Sequence, residues 1–188
     1  MIDAATRERA LAWVKAQGAR AAEAVRPPPP PPDPVDPLII AGPIIRAEER
    51  MHRIGDDGLV HPYRDQGGLW TIGIGHLLSR DPDLPVGTFA PISLAAAELI
   101  FRRDLEAAGR AVAHLVRGPL TANQWAALIS FTFNLGAGNL EISTLRRRVN
   151  RGDIEGAAEQ FPRWRFVRGV ESSGLLARRM RERDLFLS

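Results

Sequence analysis

"YRDQGGLWTIGIGHLL", residues 63–78, decides the fold. Two apolar-rich runs flank Gly67 and Gly68, so residues 59–65 and 69–75 are expected to pair as a β-hairpin. Alternation along the second strand puts Trp70, Ile72, Ile74 and His76 on one face and Leu69, Thr71, Gly73 and Gly75 on the other. The first set reads as core. The second is nearly bare around Thr71, and glycine weakens a strand, so this surface suits close approach by something large. Asp65 stands six residues before Thr71, across the turn, so a carboxylate and a hydroxyl can approach each other there.

A carboxylate beside a hydroxyl can hold and activate a water. That is half of an inverting glycosidase. The other half is a carboxylic acid across the scissile bond, with the two carboxyl groups roughly 6.5–9.5 Å apart. Turn capping by Asp65 and plain strand propensity at Thr71 satisfy the same spacing, so the pattern does not decide by itself.

Outward from the hairpin the chain reads as helices. "GPIIRAEERMHRI" has Pro43 suited to a first helical turn, and Gly55 ends the helix or follows it. "GDDG" is turn chemistry. From Ser93 onward everything reads as helical. Ser93 and Thr121 are N-cap candidates before apolar stripes, Gly136 is a stop, Ser143 and Asp153 open short helices, and "SSGLLARRMRERDLFL" closes the chain. Trp125 and Trp164 read as core. The fold class is α+β: a small antiparallel sheet lobe beside a larger helical lobe, with a cleft between them. Upstream, residues 6–25 read as a helix with a thin apolar face, and "RPPPPPPDPVDP" reads as a polyproline II spacer. The expected division is an N-terminal helical tether over 1–26, a proline-rich linker over 27–41 and the main domain over 42–188.

The composition narrows the function classes. The chain has 188 residues, no cysteine and a formal charge of +3, which excludes disulfides and thiolate metal sites. A small positive excess favours a polyanionic partner without choosing one. No apolar run approaches the ~18 residues of a membrane span. The first residues carry scattered charges and no apolar h-region, so no signal peptide is expected. The histidines at 52, 61, 76 and 114 lack metal-ligand spacing, and "TIGIGH" opens no phosphate-binding helix. No metal, cofactor or nucleic-acid partner is expected.

The opening stretch closely resembles the hairpin of the phage-type lysozymes, the muramidases of glycoside hydrolase family 24. "LTANQWAALISFTFNLGAG", "STLRRRVNRGD", "FPRWRFVRGV" and "GLLARRMRERDLF" resemble later segments of the same family in the same order. The resemblance covers residues 42–187 and implies hydrolysis of the β-1,4 bond between N-acetylmuramic acid and N-acetylglucosamine in peptidoglycan. It implies a Glu–Asp–Thr triad, in which Asp65 and Thr71 match the last two members. His76 matches a structural histidine near the acid. Asn134, in "FNLG", matches an amide on the cleft floor that binds sugar N-acetyl groups.

The acid departs from the pattern. The family places it nine residues before the aspartate, where this chain has Asp56. Either Asp56 takes the role, one methylene short, or the chain has an insertion and the acid is Glu49 or Glu48. The approach "PIIRAEER" favours the insertion, with Glu49 ahead of Glu48. A solvated helix face is the alternative reading of both glutamates. Arg178 or Arg179 can pair with the acid and orient it, or can lie on a basic helix face.

The expected function is a peptidoglycan-degrading muramidase. The alternative is a catalytically impaired peptidoglycan-binding module of the same fold. Expected partners are glycan strands and a docking partner for the N-terminal helix, with the protein monomeric. Synthesis in the cytoplasm is expected, with action on the cell wall after release or delivery by a particle.

Overall fold

A computed structural model describes residues 36–49, 53–65, 67–81, 83–85 and 87–188. The expected helix over 6–25 and the spacer up to residue 35 lie outside these residues.

Helix α1 spans Pro37–Glu49. The Asp36 carboxylate accepts the Leu38 N–H at 2.9 Å, and Pro37 takes the first helical position, where its missing N–H costs nothing. The helix therefore begins six residues earlier than Pro43 suggests, inside the stretch assigned to the linker. Ala41 and Ile45 on its inner face are fully buried. Pro43 lies within the helix and cannot donate to the Ile39 carbonyl. Both residues are exposed, where water can serve the orphaned group.

The sheet has three antiparallel strands in the order β1 (Tyr63–Arg64), β2 (Trp70–Ile72) and β3 (His76–Ser79). Tyr63 pairs with Thr71, and Ile72 pairs with His76. The expected hairpin is thus shorter, and a third strand follows it. Residues 73–75 form a turn with Gly73 at φ 62° and Gly75 at φ 74°, a region closed to most side chains. His76 consequently begins β3 instead of continuing β2. The "GDDG" segment makes an extra turn between α1 and the sheet, closed by an Ile54–Val60 bridge.

The helical lobe follows the caps. Ser93 caps α2 (Leu94–Leu115), and a reciprocal Thr121–Gln124 capping box starts α3 (Ala122–Leu135). Gly136, at φ 86°, separates α3 from α4 (Ala137–Ile142). Ser143 caps α5 (Thr144–Val149) and Asp153 caps α6 (Ile154–Ala158). A 3-10 turn, Phe161–Arg163, leads into strands β4 (Phe166–Val167) and β5 (Val170–Glu171), and Ser172 caps α7 (Ser173–Leu187). The β4–β5 hairpin corrects the all-helical expectation after Ser93. Its loop is Arg168-Gly169 at φ 50° and 81°, the doubly positive geometry of a two-residue hairpin turn.

Helix α3 packs against α1, α2 and α7. Every residue from Trp125 to Thr132 is buried, so the helix is apolar on nearly all sides. Phe131 meets Phe161 edge-on at 5.7 Å and Trp164 at 5.4 Å between ring centres. A second, smaller cluster of Val60, Ile72 and Ala97 lies under the sheet. The two clusters are the cores of the two lobes, and the site lies between them.

Candidate active site

Glu49 is the last residue of α1. Its side chain is 19% exposed and pairs with Arg178 Nη1 through Oε1. Asn134 Nδ2 approaches the same oxygen at 3.4 Å. The other oxygen, Oε2, lies against bare backbone: a Cβ placed on Gly75 would stand 3.1 Å from it. The glycine that the sequence leaves on an open strand face is therefore the wall against which this carboxyl rests.

Asp65 directly follows β1. Its Oδ1 accepts the Leu69 N–H at 2.8 Å, and its own N–H donates to the Leu69 carbonyl at 3.0 Å. Thr71 is central in β2 and 3% exposed. Its Oγ1 donates to the same Leu69 carbonyl at 3.2 Å. Both side chains are thus fixed to the peptide groups of one residue. Turn capping and strand packing are both real here, and neither removes the groups from the cleft. Asp65 keeps Oδ2 outside the Leu69 contact, and Thr71, with its hydrogen directed at a carbonyl, can accept one from elsewhere.

Glu49, Asp65 and Thr71 line one cavity of about 570 Å³. Tyr63 and His76 from the sheet, Gly75 from the β2–β3 turn, Asp104 from α2, and Thr132 and Asn134 from α3 share its wall. Burial first, then the nearby Glu49 and Asp65 carboxylates, pushes the Tyr63 phenol up to about 12.

The remaining candidates fall elsewhere. Glu48 pairs with Arg181, which donates from Nη2 at 2.8 Å. Asp56 is exposed in the extra turn and lines no part of this cavity. His76 does line it, but its Nδ1 pairs with Asp104 Oδ2 at 2.7 Å. Its partner is therefore Asp104, and the pair ties the sheet to α2. The two arginines divide the work: Arg178 reaches Glu49, while Arg179 Nη2 donates to Asn134 Oδ1 at 2.9 Å.

Behind them sits Glu182, which sequence reasoning passes over, although its i+3 and i+4 spacing from the arginines is legible. Burial pushes its carboxyl up, against the pull of Arg179 and Arg178. Its Oε1 accepts from three donors, Ser130, Arg178 and Arg179. That environment holds a carboxylate. Burial also pulls Arg179 down to about 10. Tyr63 and Asp104 also escape the sequence reading, because only the folded sheet brings them to the cleft. Among the described residues no group of three or more His, Asp or Glu side chains is placed to hold a metal ion.

A family model described as Phage lysozyme matches residues 58–182. That span includes Asp65, Thr71, Asn134, Arg178 and Glu182, while Glu49 lies upstream of it. The SAR-endolysin of Enterobacteria phage PA-2 is 34% identical over 137 residues, 71% of this chain and 80% of the relative. The endolysin of Salmonella phage P22 is 37% identical over 126 residues, 67% of this chain and 85% of the relative. Among solved structures, the muramidase domain of SpmX from Asticaccaulis excentricus superposes with a TM-score of 0.63 at 31% identity, covering 79% of this chain and 95% of that one. The endolysin from Escherichia coli O157:H7 phage FAHEc1 gives 0.62 at 31% identity, covering 81% and 91%. A lysozyme-like fold with a carboxyl group and an Asp–Thr pair in one cleft accords with these matches, and the chain belongs to the phage lysozyme family of peptidoglycan-degrading muramidases.

Proposed function

We propose that Glu49 is the proton donor of this muramidase and that Asp65 and Thr71 hold the attacking water. The substrate is a glycan strand lying along the cleft, cut at the β-1,4 bond between N-acetylmuramic acid and N-acetylglucosamine. Arg178 engages Oε1 of Glu49, which leaves Oε2 to carry the proton delivered to the glycosidic oxygen. On the other side, Asp65 Oδ2 and Thr71 Oγ1 both act as acceptors. A water that donates one hydrogen to each turns a lone pair toward the anomeric carbon. Asp65 takes a proton as the water attacks, and the product has inverted configuration.

Asn134 is held at both ends of its amide, by Glu49 and by Arg179. Its amide nitrogen has a second hydrogen to offer a substrate N-acetyl carbonyl. Asn134 thus orients the acid and contributes to sugar binding at once. His76 acts through Asp104, bracing the sheet that carries the water-holding pair.

The observation that carries this reading is the shared cavity: Glu49 enters from α1, and Asp65 and Thr71 enter from the sheet. Glu49→Gln tests it. The variant keeps the shape but loses the proton, and clearing of purified peptidoglycan sacculi should stop. Sacculi cleared at the wild-type rate would remove Glu49 from the mechanism.

The cleft is assembled within one chain, which supports action as a monomer. Kinship with endolysins supports synthesis in the cytoplasm and access to the wall after release or delivery by a particle. Residues 1–26 are assigned the role of a tether that docks on a partner. Among the described residues no helix is long and apolar enough to cross a membrane.

A further inference from the structure

Helix α7 carries two adjacent arginines and a glutamate into the helical lobe. Arg178, Arg179 and Glu182 are 5%, 0% and 1% exposed. Three donors converge on Glu182 Oε1: Ser130 Oγ at 2.7 Å, Arg179 Nη2 at 3.1 Å and Arg178 Nε at 3.3 Å. The same two guanidinium groups reach the cleft. Arg178 Nη1 donates to Glu49, and Arg179 Nη2 donates to Asn134 Oδ1 at 2.9 Å. Asn134 Nδ2 in turn approaches Glu49 Oε1 at 3.4 Å. Two chains of contact therefore run from one buried carboxylate to one oxygen of Glu49.

We propose that Glu182 is a positioning residue for catalysis, anchoring Arg178 and Arg179 so that Glu49 and Asn134 keep their places, and balancing the positive charge that acts on Glu49. The proposal rests on Glu49 being the proton donor. Stability alone is a poor reason for the cluster. Burying three ionised groups costs desolvation that apolar side chains of similar size avoid. The cluster also leaves Glu182 Oε2, Arg179 Nε and Arg179 Nη1 buried with no hydrogen-bond partner among the described residues, which is costly. What it does achieve is a fixed carboxyl oxygen at the end of α1.

Sharing the cleft or the arginine cluster with Glu49 are Arg178, Arg179 and Glu182 of α7; Glu48 of its own helix, paired with Arg181; Tyr63, Asp65 and His76 of the sheet and Arg80 just after β3; and Asp104 of α2. Helix α3 has no ionisable residue. Replacing Glu182 by a neutral isostere leaves two buried cations with one fewer anion. That favours the ionised form of Glu49, and an ionised donor has no proton to give.

The test is Glu182→Gln, assayed by initial rates on purified sacculi across pH, with circular dichroism and thermal melting to establish folding. The proposal predicts kcat lower by about ten-fold or more, as misplaced reacting groups produce, with KM within about three-fold. It also predicts that the alkaline limb of the pH–rate profile moves down by about one pH unit, which a purely structural role would not do. The double variant Glu182→Gln/Arg179→Gln removes one charge of each sign. Its limb should return to the wild-type position while kcat stays low, because Asn134 has lost its anchor. A folded Glu182→Gln with wild-type kcat and limb overturns the proposal. If that variant does not fold, a folded double variant with wild-type kcat overturns it equally. Glu49→Gln keeps the two questions apart. Full activity in that variant sinks the assignment of the acid, whereas an inactive Glu49→Gln beside an unaffected Glu182→Gln sinks the positioning role alone.

Discussion

Glu48 and Glu49 are neighbours on one helix and point about 100° apart around its axis. Glu49 meets Arg178 and the cleft, and Glu48 meets Arg181 outside it. Glu49→Gln is expected to lower the rate by about 10²–10⁴, the usual worth of a positioned acid. Glu48→Gln breaks an ion pair whose arginine is 57% exposed, and should cost no more than ~1 kcal/mol and leave turnover within about three-fold. Asp56→Asn, in an exposed turn, should leave the rate unchanged. The family resemblance narrowed the acid to Glu49, Glu48 and Asp56, and the approach "PIIRAEER" favoured Glu49 among them. The extra turn between α1 and the sheet breaks the expected count, and helix phase is visible only once the end of α1 is known.

Tyr63 gives an independent check at the same scale. It is the only tyrosine in the chain, so tyrosinate absorbance reports one group. Burial and the carboxylates of Glu49 and Asp65 raise its folded value to about 12 against about 10 unfolded. The preference for neutral phenol is fully present below about pH 10 and is lost as pH rises through about 12. An ultraviolet titration of the folded protein should therefore have its midpoint well above that of the protein in denaturant. Coincident midpoints would place Tyr63 in solvent, away from the cleft.

At the scale of elements, the caps were the most legible features. Ser93, Thr121, Ser143 and Asp153 start helices because a short side chain answers backbone N–H groups within three residues, a purely local event. The strands were less legible. Residues 69–75 alternate like one strand, yet Gly73 and Gly75 adopt positive φ and turn the chain into β3. The β4–β5 hairpin was missed because its strands are two residues each and show no period. Its one signal is Arg168-Gly169 at the loop, where Arg168 also donates to the Gly67 carbonyl at 2.6 Å, beside the turn that holds Asp65. Gly75→Ala tests the sheet's role in placing the acid. The new Cβ would sit 3.1 Å from Glu49 Oε2 at φ 74°. The left-handed backbone should cost about 1–2 kcal/mol, read as a lower melting temperature. Turnover should fall by about ten-fold or more as the carboxyl is displaced. Wild-type turnover would show that Glu49 does not rest against this turn in solution.

At the scale of the whole molecule, the α+β plan was readable because the three-stranded sheet occupies one continuous stretch, residues 63–79, ahead of a long, mainly helical run. Their separation also yields two cores, one around α3 and one under the sheet, with the 570 Å³ cavity between them. The upstream boundary was less readable. Pro37 looks like the end of a proline run and is instead the first residue of α1, a role that depends on Asp36 capping and on the burial of Ala41 and Ile45. In the proposed mechanism the relation between the lobes is decisive: one lobe brings the proton, the other the water, and the sugar lies between. Opposed placement must leave its mark on the product. The decisive measurement is proton NMR of the anomeric hydrogen during the first minutes of peptidoglycan cleavage, before mutarotation. The Glu49 and Asp65–Thr71 arrangement predicts that the new reducing end appears first as the α-anomer. Initial release of the β-anomer would contradict it.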